Sequence, residues 1–120
     1  MTFQFKCDST NGFQEINGSA SFNENFLNFE YQPIHLGLVK GEVKNVSIPF
    51  DQINEINFIE KFFSKKIQVA LTSLKNLDKF PILDNYIIEI PVKRKDKDRA
   101  YEFVVKINYN LGQYRLSKME

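Results

Sequence analysis

Apolar and polar residues alternate along most of this chain, and the pattern gives way to a helical period only near its end. Phe3, Phe5 and Cys7 alternate with polar neighbours, as in a strand with one buried face. Asp8-Ser9-Thr10-Asn11-Gly12 is a turn cluster, the chain extends again from Phe13 to Phe22, and Asn23-Glu24-Asn25 reads as a hairpin turn. Leu27, Phe29 and Tyr31 line one face of the returning strand, which Pro33 is expected to end. The apolar loop from Pro33 to Gly41 is expected to fold back over the sheet. Val46, Ile48 and Phe50 alternate while Val43 has the wrong parity, so a bulge near Lys44-Asn45 is expected. Pro49 cannot donate to a ladder and marks a strand end or edge. A strand over Ile53–Phe58 leads through Lys61–Lys65 into Ile67, Val69 and Leu71. Leu74, Leu77 and Phe80 allow one helical turn under a long connection before Tyr86, Ile88, Ile90 and Val92 alternate once more.

From Asp96 the period changes. Ala100, Phe103, Val104, Ile107 and Leu111 fall at i, i+3, i+4, i+7 and i+11, one stripe of a helix. Asp96 is the expected N-cap, Asp98 suits the positive end of the helix dipole, and Gly112 suits a C-terminal cap. Residues 113–120 are then a tail that frays unless Tyr114 and Leu116 pack. The expectation is a mainly β roll of about seven strands closed by one helix over about 96–111. Neither a repeat nor a linker divides it, so residues 1–120 form one domain.

Three segments resemble a known family. Ile48-Pro49-Phe50-Asp51-Gln52-Ile53 resembles the I-P-hydrophobic-D-x-I strand and bend of bacterial pleckstrin-homology-like domains of unknown function. Phe62-Phe63, Lys66-Ile67, Leu74 and Pro81 fall where such domains keep a short hairpin and a long connection. Val92-Lys93-Arg94-Lys95-Asp96-Lys97-Asp98-Arg99-Ala100 is similar to the R-K-D-R-x-x-A stretch that opens their closing helix. The similarity spans about residues 18–111 and implies a seven-stranded, partly open barrel with one corner plugged by the helix. It carries no catalytic residue. Lipid-binding members keep a Lys/Arg motif in their first hairpin; neither Asn23-Glu24-Asn25 nor Asp8–Gly12 contains a base.

Composition changes the picture little, and charge changes it more. With 12 Phe and 5 Tyr in 120 residues, the chain has bulky material that favours strands. No apolar run is long enough for a membrane span, and the N-terminus lacks the pattern of a signal peptide. Cys7 is alone, so no disulfide is expected and a cytoplasmic setting is. The net charge of +1 hides a split: residues 1–60 hold three bases against eight acids, and residues 61–99 hold ten against five. That division suggests an acidic and a basic surface, or only the placement of exposed loops.

Little chemistry of the catalytic kind is present. His35 has no Cys or His partner at metal spacing, and Cys7 alternating with Phe reads as a small core residue. Gly37-Leu38-Val39-Lys40-Gly41 lacks the spacing and the Lys-Ser/Thr of a phosphate loop. Asn17-Gly18-Ser19 and Asn45-Val46-Ser47 match the glycosylation pattern by coincidence in an Asn-rich chain. No enzyme activity, cofactor or metal is expected, and nucleic acid is not, because aromatics and bases do not interleave.

Two constellations stand out. Lys93, Arg94 and Lys95, with Lys97 and Arg99, place five bases in seven residues, either a solvated loop or a seat for phosphate or an acidic partner. Lys61, Phe62, Phe63, Ser64, Lys65 and Lys66 put two aromatics at a hairpin tip among lysines. The ordinary reading turns the rings inward over the core; the sharper one makes them an anchor for a protein partner or an anionic membrane. A non-enzymatic binding or adaptor module is therefore the expectation, with a protein partner first. A carrier holding an apolar ligand in the barrel is the rival.

Overall fold

The computed structural model describes residues 1–119. Nine strands precede one helix: β1 (Thr2–Asp8), β2 (Gln14–Phe22), β3 (Phe26–His35), β4 (Val39–Lys40), β5 (Lys44–Pro49), β6 (Ile53–Glu60), β7 (Lys65–Leu71), β8 (Leu83–Asp84), β9 (Ile87–Pro91) and α1 (Lys97–Lys118). They form two antiparallel sheets. In the first, β1, β2 and β3 follow in order and β4 and β5 share the far side of β3; in the second the order is β6-β7-β9-β8. No hydrogen-bonded pairing of the described strands joins the sheets into a closed barrel.

The alternation predicted from the sequence sets the core face of the first sheet. Register stacks Phe3 on Ala20 and Phe29, and Phe5 on Gly18 and Tyr31, so all of these side chains share one face. Gly18 is small for a reason: a Cβ there would stand 2.5 Å from the Phe5 ring, whose edge also meets Phe29. Gly18→Ala is therefore expected to cost about 1–3 kcal/mol by forcing Phe5 aside, measured as a fall in the urea midpoint.

Pro33 does not end β3, which continues to His35. The Pro33 carbonyl accepts from Gly41 N–H at 2.8 Å, so its missing donor lies on the β4–β5 side. The chain bulges there. β3 takes three steps from Tyr31 to Ile34 while the opposite side takes four from Lys44 to Lys40, one residue extra. The expected bulge thus sits at Gly41–Val43, upstream of Lys44-Asn45, and it is what makes proline tolerable inside β3. The loop beyond also departs from expectation. Leu36, Leu38 and Val39 form a protruding hairpin, 90%, 85% and 61% exposed, in place of a flap on the sheet.

Residues 73–81 make successive turns without a helix, Leu74 to Leu77, Leu77 to Phe80 and Phe80 to Leu83. Asn76, at φ 65°, breaks the helical path, yet Leu77 and Phe80 are buried as their spacing suggested. Phe80 lies 5.1 Å from Phe29 and 5.3 Å from Tyr31, closing one end of the core.

Helix α1 buries Ala100, Phe103, Val104, Ile107 and Leu111, the expected stripe. Phe103 packs against Phe3 and Phe22. Its ends differ from expectation. Asp96 occupies the N-cap position without a side-chain cap bond, and a 3-10 turn over Arg94–Asp96 feeds the helix directly. At the other end α1 runs through Gly112 to Lys118, while Glu120 lies outside the described residues. A helical glycine costs only about 1 kcal/mol. Against that, Tyr114 meets Phe50 edge-on at 5.7 Å and Arg115 donates to the carbonyls of Ile53 and Asn54. With Asn108 donating to the Ile56 carbonyl and Lys97 paired to Glu60, the helix covers the outer edge of β6 along its length.

Candidate functional site

The β6–β7 hairpin is closed by Lys61 N–H donating to the Ser64 carbonyl at 2.7 Å, which leaves Phe62 and Phe63 at its tip. Neither ring turns inward. They are 89% and 93% exposed, and they stack edge-to-face on each other with ring centroids 4.5 Å apart. This corrects the ordinary expectation that the aromatics belong to the core. The physical reason is the length of the turn: with pairing maintained to Glu60 and Lys65, the rings lie beyond the last paired residues and have no sheet face to cover.

The lysines around the tip have different fates. Lys65 is largely buried, its Nζ 3.9 Å from Glu60, and Lys66 pairs with Glu89. Glu60 is held chiefly by Lys97 at 2.7 Å, and that hydrogen bond keeps its carboxyl below the usual range. Lys61 has no ion-pair partner among the described residues.

The second basic cluster arrives beside the first. Val92 N–H donates to the Lys65 carbonyl at 2.8 Å, docking the segment after β9 against the base of the hairpin. Val92 and Arg94 then line a cavity of about 390 Å³ together with Phe62, Phe63, Ser64 and Lys65. Lys93 and Lys95 line a different one, facing β1. Of the residues singled out in the sequence, Arg94 therefore joins the aromatic tip, Lys93 and Lys95 stand behind it, and Lys65 and Lys66 are engaged in pairs.

A separate apolar patch escaped the sequence reading. The register ends at the pair Gln14 and His35, so Phe13 and Leu36 lie just beyond the ends of the adjacent strands β2 and β3. Phe13 is 81% exposed, beside the protruding Leu36–Val39 hairpin. Leu36 sits at φ 53°, a left-handed conformation uncommon for leucine. The only available signal was the unusually apolar composition of that loop.

Cys7 and His35 do not form a dyad. Cys7 is buried on the core face, while exposed His35 is approached by the Gln14 side-chain amide at 3.3 Å. Burial, with Asp8 beside it, pushes the Cys7 thiol up to about 11 from an ordinary 9.0. Folding thus favours the protonated thiol, and its contribution is whole below pH 9 and lost as pH rises through about 11. A declining urea midpoint across that window, flattened by Cys7→Ala, is expected. At neutral pH, alkylation of Cys7 should be markedly slower in the folded protein than in urea, because burial both limits access and disfavours the thiolate.

Among the described residues, no group of three or more His, Cys, Asp or Glu side chains is placed to hold a metal. No helix of the described residues is long and apolar enough to cross a membrane. Comparison with protein-family models, curated proteins and solved structures finds no match to this chain.

Proposed function

We propose that this chain is a non-enzymatic, peripheral binding module that docks the Phe62–Phe63 tip onto an anionic membrane surface. One observation carries the reading: two almost fully exposed phenylalanines protrude side by side, flanked by Lys61 and Arg94, which have no ion-pair partner among the described residues. Exposing two rings to water is unfavourable unless another phase receives them. A convex tip suits an interface into which rings insert, and the bases beside them suit anionic headgroups. The order of elements supports a pleckstrin-homology-like architecture for the module: a four-stranded antiparallel run (β1, β2, β3, β5), a three-stranded one (β6, β7, β9), then the closing helix. A cytoplasmic-facing bilayer, where anionic lipid is abundant, is the surface this reading requires.

A protein partner is the second reading, favoured by the exposed apolar side chains of Phe13, Leu36 and Leu38 beyond the Gln14–His35 end of the β2–β3 pair. Exposed Leu36 stands at φ 53°, where Gly or Asn would relax the turn, and offers an apolar side chain to a partner. The carrier alternative finds less support, since Phe29, Phe80, Phe50 and Phe103 occupy the interior.

Vesicle co-sedimentation tests the proposal. Wild-type protein is expected to pellet with phosphatidylcholine vesicles containing phosphatidylserine, and far less with phosphatidylcholine alone. Charge reversal at Lys61 and Arg94 (K61E/R94E) should abolish the difference. Absence of vesicle binding at low salt would leave the protein partner as the working reading.

A further inference from the structure

Behind the aromatic tip, the chain from Pro91 to Arg99 and the edge strand β1 line an open concavity of about 290 Å³. Its wall carries Lys6, Lys93, Lys95 and Arg99 against a single carboxylate, Asp96, with the amide of Gln4 beside them. Lys6 is tied to Glu15 at 2.8 Å; Lys93, Lys95 and Arg99 have no ion-pair partner among the described residues. Three exposed bases without ion-pair partners thus line one concavity beside a single carboxylate, a net positive wall that suits an anion able to accept several hydrogen bonds at once. β1 pairs only with β2, which leaves backbone groups along its other edge for the same ligand.

We infer that the cavity between β1 and residues 91–99 is a binding site for a phosphate monoester or comparable multivalent oxyanion. Arg99 offers the planar fork that phosphate oxygens match, and Lys93 and Lys95 supply point charges. A phosphate dianion sets two negative charges against the net positive charge left by three bases and the Asp96 carboxylate, whereas chloride offers one charge and no fixed geometry. The site deepens the membrane reading and rests on it for one of its two sources. Val92 and Arg94 face the tip while Lys93 and Lys95 face the cavity, so one short segment forms both walls. A lipid phosphomonoester headgroup beneath the inserted tip would reach it, and so would a soluble phosphate compound.

The experiment has two arms on the full chain. In the first, inorganic phosphate is titrated into labelled protein and followed by amide chemical shifts, with sodium chloride at matched ionic strength as reference. Saturable shifts confined to Gln4, Lys6, Lys93, Lys95 and Arg99 are expected. They should weaken at least tenfold in K95Q/R99Q, and also in the single variant Lys93→Gln, with melting temperatures retained. Shifts scattered over all lysines, or reproduced by chloride, overturn the site. In the second arm, vesicles of phosphatidylcholine with phosphatidic acid are compared with vesicles matched in charge by phosphatidylserine. Preference for phosphatidic acid, lost in K95Q/R99Q, supports the site and assigns the headgroup as its source. Equal binding to both vesicles, with phosphate shifts intact, supports it with a soluble source. F62S/F63S separates the two proposals: it should lose vesicles while keeping the phosphate shifts, so failure of the membrane reading leaves the site standing.

Discussion

Deleting residues 97–120 is expected to abolish cooperative unfolding altogether. Phe103, Val104, Ile107 and Leu111 are all buried against the sheets. At ~1.5–3 kcal/mol for each such side chain they supply roughly 6–12 kcal/mol of gross burial, an upper figure because unfolded chains already bury some surface. A whole domain's net stability is of the same size, about 5–15 kcal/mol. The loss goes beyond the apolar stripe. Carbonyls of Ile53, Asn54 and Ile56 would lose their Arg115 and Asn108 donors, and the edge of β6 would lie open to strand pairing with other copies. Urea titration by circular dichroism should show a gradual slope, accompanied by aggregation. A sharp transition in the truncated protein would mean that the two sheets hold together without the helix.

Replacing the tip aromatics, F62S/F63S, is expected to weaken binding to phosphatidylserine vesicles on the order of a hundredfold, about 2.7 kcal/mol. Complete burial of the two rings would be worth roughly 3–6 kcal/mol, and insertion into the headgroup region realises part of it. The same substitutions should leave stability within about 0.5 kcal/mol, because side chains 89% and 93% exposed contribute little to the fold. The bases act differently. Each contributes about 1 kcal/mol near an anionic bilayer, and that part should fade as salt shortens the screening length to ~8 Å. Residual binding at high salt therefore reports on the rings. A protein that loses its fold with the two serines would place the rings in the core and remove the tip as a docking element.

Within its regular elements, the local period determined which residues of this chain face the core; Tyr86, on the same alternation as Ile88 and Ile90 but outside β9, is 52% exposed. Phe3, Phe5 and Cys7, Ile67, Val69 and Leu71, and the stripe from Ala100 to Leu111 are buried as their spacing required, because a strand or an amphipathic helix has only one face to hide. Turn chemistry was equally local, and Asn23 shows why: its side chain accepts from the amides of Asn25 and Phe26 without help from elsewhere. Tertiary structure decided whatever depended on a distant partner. Pro33 stays within β3 because the chain opposite it bulges eight residues later at Gly41. The helix outruns Gly112 because β6, some sixty residues earlier, offers carbonyls to Arg115. The candidate site is of the second kind. Lys61–Lys66 and Lys93–Lys95 were each visible as clusters, but only the Val92–Lys65 backbone bond sets Arg94 beside the rings. Lys6 joins Lys95 and Arg99 because β1 lies next to the chain leaving β9. Exposure of Phe62 and Phe63 was likewise beyond a linear pattern, since the same two residues at a turn can cover a sheet or leave it. The pairing of Glu60 with Lys65 puts them past its end.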